Sequence, residues 1–245
     1  MNDGESLPQY TFWQHVEELR KRLFYSCLAV FVSASFAFIQ SSKIMNFILD
    51  PFLSSFGNQS LIGVSPAEAF TLRIMLSLWF GAIIASPVLV YQAWKFVEPG
   101  LYFKEKKVIK GVSFYAFFLF VLGISFAYYI LLPFTLKFFY VQYQTLGLNP
   151  TIRASDYLKL VVQLTLACGI VFMLPIATYI FTTLGILTST FLKQNFRISV
   201  IVIFILSAVL TPPDVLTQIL LAFPLILLYV IGICTSMLAE RSNEN

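Results

Sequence analysis

Apolar residues fall into six long runs separated by short polar connections, at about Leu23 to Ile39, Phe70 to Ala93, Val112 to Pro133, Tyr157 to Leu184, Ile198 to Leu210 and Val215 to Leu238. Crossing the hydrocarbon core of a bilayer takes about 20 helical residues at 1.5 Å each, so the pattern predicts six transmembrane helices. The fifth run lies between Arg197 and the pair Pro212, Pro213 and is only about 21 Å long as a helix, so it must lean on its neighbours or thin the bilayer. The expected fold is all-α and polytopic, with the last two helices short. It divides into an amphipathic segment 1–22, a six-span domain 23–238 and a short tail 239–245.

Two polar stretches carry a pattern of their own. Before the first run, Thr11 and Gln14 fit a capping box, and Phe12, Val16, Leu19 and Leu23 recur at helical spacing on one face. Glu17 with Lys21, and Glu18 with Arg22, are i,i+4 pairs of opposite charge. The segment is expected to be a helix along the membrane surface that leads into the first span. Between the first two spans, Ile44, Phe47, Ile48, Phe52 and Phe56 stand among polar residues, the pattern of half-buried structure lying on the membrane face. Asp50 and Pro51 are expected to break it in the middle.

The basic residues set an orientation. Eleven of the sixteen Lys and Arg fall in one set of alternating connections: Arg20, Lys21 and Arg22; Lys95, Lys104, Lys106, Lys107 and Lys110; Lys193 and Arg197; Arg241. Lys43, Arg73, Lys137, Arg153 and Lys159 make up the other set. By the positive-inside rule the richer side is cytoplasmic, which puts both termini inside. Basic residues before the first apolar run also suit a cleaved leader, but five further spans follow, and the run is read as a retained helix.

Composition narrows the function. The chain of 245 residues is 58% apolar and 11% charged, with a mean hydropathy of +0.82, where soluble domains are about a quarter charged. Its net charge of +4 sits where topology needs it, so no nucleic-acid partner is expected. Cys27, Cys168 and Cys234 each lie inside an apolar stretch without a CxxC pair, as small hydrophobes do. The single histidine, His15, lies outside the spans, so neither a Ser/His dyad in the membrane nor an HExxH zinc site can form. No Walker or GxGxxG sequence is present. An enzyme, a cofactor and a metal site are therefore not expected. Span centres hold uncharged groups such as Gln163, Thr165, Thr178, Thr182, Thr183 and Gln218, whereas transporters with their own ion sites usually bury charge there. A small-solute or ion transporter lined by these threonines stands as the alternative reading, beside an accessory membrane scaffold without receptor function.

Four stretches carry a resemblance to a known family: His15 to Leu23 (HVEELRKRL); Ser65 to Phe70 (SPAEAF); Pro87 with Tyr91 to Tyr102 (YQAWKFVEPGLY); and Leu210 to Asp214 (LTPPD) with Gln218. In this order and over nearly the whole chain, they resemble the TatC family of the twin-arginine protein translocase. The resemblance implies a receptor that binds signal peptides bearing two consecutive arginines. It also implies a scaffold for single-span TatA/TatB-type partners, in a hetero-oligomer that exports folded proteins on the proton gradient. The expected location is the bacterial cytoplasmic membrane, in contact with lipid. Carried over residue by residue, the resemblance puts signal-peptide binding on Glu18, Arg20, Phe96 and Glu105, and structural or partner roles on Pro51, Pro66, Glu68, Pro212, Pro213, Asp214 and Gln218. The chain departs from the family where glutamates usually stand in the fourth and sixth spans: here they are Met173 and Val230. Met173 is the expected partner contact, and Gln218 and Thr178 are candidates to replace the missing polar site.

Overall fold

The structure is a computed structural model that describes residues 12–57, 59–97, 106–211 and 215–244. Ten α-helices make up almost all of it: α1 (Phe12–Ile39), α2 (Ser41–Phe56), α3 (Glu68–Val97), α4 (Lys106–Phe126), α5 (Leu132–Thr145), α6 (Ala154–Phe172), α7 (Leu174–Thr183), α8 (Ser189–Gln194), α9 (Phe196–Leu210) and α10 (Val215–Glu244). Five stretches are long and apolar enough to span a membrane, and α9 adds a shorter apolar helix. These are the six predicted passes.

The differences from expectation lie where a proline meets a long apolar run. Pro133 was the expected end of the third span, yet helix continues to Thr145. A wide π turn at Ala127–Leu131 precedes the proline, with the Leu132 N–H donating to the Ala127 carbonyl, and absorbs the hydrogen bond that Pro133 cannot make. In the fourth span, Pro175 has the opposite outcome: the run divides at Met173, where α6 ends and α7 begins. The expectation that both final helices are short holds for α9, with 15 residues, and not for α10, which has 30. Pro224 lies inside α10 without ending it.

The expected break at Asp50 and Pro51 is also absent. Helix α2 runs through Pro51, burying Ile44, Ile48, Pro51, Phe52 and Phe56 on one side. Proline removes the donor to the carbonyl four residues back, here that of Phe47, and the Tyr128 hydroxyl donates to that oxygen instead at 2.5 Å. The Tyr157 hydroxyl donates to the neighbouring Ile48 carbonyl. The half-buried structure between the first two spans is thus a helix pinned by two tyrosines from the third and fourth.

Between apolar helices in lipid, association relies on close packing and buried hydrogen bonds, and both are evident. A Cβ added to Gly81 of α3 would come within 2.6 Å of the Ala34 backbone of α1, and one on Gly123 of α4 within 2.5 Å of the Cys168 carbonyl of α6. The Trp79 indole N–H donates to Thr165 Oγ1 at 2.9 Å. Along α7 and α10, Thr178 Oγ1 donates to the Gly232 carbonyl at 3.2 Å, Thr235 Oγ1 to the Pro175 carbonyl at 2.8 Å, and the hydroxyls of Thr182 and Ser236 meet at 2.7 Å. This seam stitches the fourth span to the sixth.

Candidate functional site

Helix α1 continues from the amphipathic segment into the first span without a break and packs along α3. The N-terminal turns of α1 therefore lie beside the C-terminal turns of α3. Between them is an open cavity of about 590 Å³, lined by Gln14, Glu17, Glu18, Lys21, Arg22, Tyr25, Tyr91, Gln92 and Lys95. Glu18 and Arg22, four apart on α1, face it from the same side.

Glu18 lines this groove and is paired within it. Its Oε1 accepts from Arg22 Nη2 at 2.7 Å, with both side chains 19% exposed. The other terminal nitrogen of Arg22, Nη1, donates to Gln92 Oε1 of α3 at 3.2 Å, while its Nε is buried with no partner among the described residues. The guanidinium thus bridges the two helices. At the same end of the two helices the rings of His15 and Phe96 stack with centroids 4.4 Å apart, and Lys95 lies over the Tyr91 ring at 5.5 Å.

Of the four residues expected to bind a signal peptide, the structure brings Glu18 and Phe96 to this end of the α1–α3 pair. Arg20 points elsewhere: it lines a neighbouring groove of about 440 Å³ with Glu17, Lys21, Phe24 and Tyr25. Glu105 lies outside the described residues. Arg22 and Gln92 were not among the expected binding residues. The Glu18–Arg22 spacing was visible as helix support, but nothing in the sequence indicates that Gln92, 70 positions away, receives the same guanidinium.

The residues expected to have structural or partner roles spread through the other parts of the bundle. Pro51 is buried inside α2. Pro66 is exposed in the turn before α3. Glu68, 8% exposed, accepts from the N–H groups of Val64 at 2.6 Å, Ser65 at 3.3 Å and Ser155 at 3.3 Å, tying the start of the second span to the start of the fourth. A parallel bridge between Ile62 and Arg153 supports the same junction. Met173 is half-buried at the division of the fourth span and packs on the cluster of Val90, Ala116, Ile176 and Ile180. Gln218 Nε2 donates to the Phe204 carbonyl at 3.0 Å, joining α9 to α10. Pro212, Pro213 and Asp214 lie outside the described residues.

Neither Gln218 nor Thr178 stands open as a substitute for an intramembrane carboxylate, since both are engaged within the chain. Val230 is 44% exposed on the outside of α10. Thr165, Thr178 and Thr182 are buried and bonded to carbonyls of their own helices.

The fold defines a multi-pass helical membrane protein, with an open cleft carrying charged side chains beside the head of its first helix. A family model described as Sec-independent protein translocase protein (TatC) matches residues 14–224, and the chain belongs to that family. It is 37% identical over 232 residues to the Sec-independent protein translocase protein TatC of Aquifex aeolicus (strain VF5), covering 94% of this chain and 96% of that protein. With the TatC protein of Helicobacter pylori (strain J99 / ATCC 700824), identity is 34% over 237 residues, covering 94% and 92%. A crystal structure of the twin arginine translocase receptor TatC superposes with a TM-score of 0.81 at 37% identity, covering 92% of this chain and 99% of that one.

Proposed function

We propose that this chain is the receptor of a twin-arginine translocase, and that the groove between α1 and α3 receives the arginine pair of a signal peptide on the cytoplasmic side. The observation that carries this reading is the Glu18 carboxylate, which lines the groove and is already in hydrogen-bonding geometry with a guanidinium. Carboxylates recognise the planar guanidinium fork through paired, charge-assisted hydrogen bonds. Glu105, in the connection that follows α3, supplies the second acid. Phe96 and its stacked partner His15 offer an apolar edge for the peptide beyond the arginines. Arg20, facing the neighbouring groove, steers the acidic or polar part of the same segment.

In this reading both termini are cytoplasmic, the junction built on Glu68 faces the outside, and transport draws on the proton gradient. Single-span proteins of the TatA/TatB type pack against apolar surface near Met173 and along α9 and α10, where Ile198, Ile205, Val209, Phe223 and Val230 are exposed. With no charged group at Met173 or Val230, those contacts rest on shape and helix packing.

The test is titration of the purified chain in detergent with a labelled peptide carrying Arg-Arg ahead of an apolar segment, and with its Lys-Lys twin. Saturable binding of the first, much weaker for the second, is the expected result because an ammonium cannot reproduce the bidentate contact. Equal binding of the two peptides contradicts the receptor reading. Solute flux through vesicles containing this chain alone would instead favour a transporter.

A further inference from the structure

Resting on that receptor reading, we propose that Arg22 is a built-in competitor: its guanidinium occupies the place on Glu18 that an incoming arginine must take, so peptide binding is an exchange of one guanidinium for another. Three observations support this. The Arg22 Nη2 to Glu18 Oε1 contact, at 2.7 Å, is the kind of contact a bound arginine would make. Arg22 is held from the far wall by Gln92 at 3.2 Å, which keeps the guanidinium inside the cavity that would receive the ligand and not along the surface of α1. Its Nε is buried with no acceptor among the described residues, so the resting arrangement there is incompletely satisfied and open to replacement.

The exchange has a definite consequence. Displacing Arg22 takes the same free energy whichever peptide arrives, so the competitor lowers affinity for every cationic ligand by one common factor and leaves their ratio unchanged. Selectivity for arginine over lysine stays with the Glu18 carboxylate, which matches the planar guanidinium fork. Arg22 also keeps the carboxylate from standing unpaired in a partly buried groove when no peptide is bound.

The experiment compares the parent chain with Arg22→Gln, Arg22→Lys, Lys21→Gln and Glu18→Gln. Each is purified in detergent, checked for an unchanged helical circular dichroism spectrum and a single elution peak, and titrated with the labelled Arg-Arg and Lys-Lys peptides. Arg22→Gln is expected to bind both about two- to fivefold more tightly, the worth of one partly exposed charge pair, with the ratio between the peptides unaltered. Arg22→Lys keeps the charge that topology uses but cannot bridge Glu18 and Gln92 as a fork, and is expected to show a smaller gain in the same direction. Lys21→Gln removes an equal charge from the same groove while leaving Glu18 paired. Its gain is expected to be smaller than that of Arg22→Gln. If Arg22→Gln binds no more tightly than the parent, or Lys21→Gln matches its gain, the competitor idea is overturned while a loss in Glu18→Gln keeps the receptor reading intact. A change in the ratio between peptides overturns it too, because Arg22 would then be touching the peptide. If Glu18→Gln binds as tightly as the parent, both readings fail together.

Discussion

The Tyr128 hydroxyl donates to the Phe47 carbonyl at 2.5 Å, filling the acceptor that Pro51 deprives of its helical donor, and the two rings stack with centroids 4.4 Å apart. A proline inside a helix ordinarily costs about 3 kcal/mol. Here the third span supplies the missing donor, and α2 remains one continuous helix with its apolar face on the bundle.

Tyr128→Phe separates the hydroxyl from the ring. The stacking with Phe47 should persist while the carbonyl loses its donor, lowering stability by about 1 kcal/mol. Thermal unfolding of the purified protein in detergent, followed by circular dichroism, measures this. An unchanged midpoint would mean that the Phe47 carbonyl finds another donor and that the pinning is incidental.

Gly81 and Ala34 set the spacing of α1 and α3, and with it the width of the groove above them. In Gly81→Val the added side chain meets the Ala34 backbone, where even a Cβ would lie 2.6 Å away. The helices must separate, at about 1 to 3 kcal/mol for overpacking. Because α1 packs chiefly on α3, the displacement should reach the groove and weaken Arg-Arg peptide binding along with stability. Binding at parental strength in a folded Gly81→Val protein would show that the groove tolerates a shift of α1.

The spans were legible because bilayer thickness imposes a length and an apolar composition that can be counted along the sequence. Prolines were where that reading failed, since their effect depends on distant partners. Pro51 and Pro133 are accommodated by Tyr128 and by a π turn, whereas Pro175 divides its helix. The site was half legible. Glu18 and Phe96 came from the resemblance to TatC, and the Glu18–Arg22 pair from i,i+4 spacing. Local spacing does not show which cross-helix group receives Arg22. Glu17, about 100° from Glu18 on the helix, lines the same groove, which its pairing with Lys21 in the sequence did not show.

The proposed orientation rests on the eleven-to-five division of basic residues, and accessibility tests it. With Cys27, Cys168 and Cys234 first replaced, single cysteines at Gln14 and Asn195 are expected to react with an impermeant maleimide only from the cytoplasmic side. A cysteine at Asn149 is expected to react only from outside. Labelling of position 195 in intact cells would invert the arrangement and remove the groove from the compartment where signal peptides arrive.

In the proposed mechanism the Glu18 carboxylate binds the signal peptide's arginine, and the decisive measurement is the affinity of Glu18→Gln for the Arg-Arg peptide. A charge-assisted hydrogen bond is worth about 1.5 to 3 kcal/mol, and at about 1.4 kcal/mol per factor of ten, less the worth of the Arg22 pair that must be exchanged, the variant should bind the peptide about tenfold more weakly. The loss should shrink as salt is added, because the groove is open to solvent. Glu105→Gln should lose a comparable amount if it is the second acid. A folded Glu18→Gln protein that binds the Arg-Arg peptide with parental affinity at low salt would contradict the receptor mechanism.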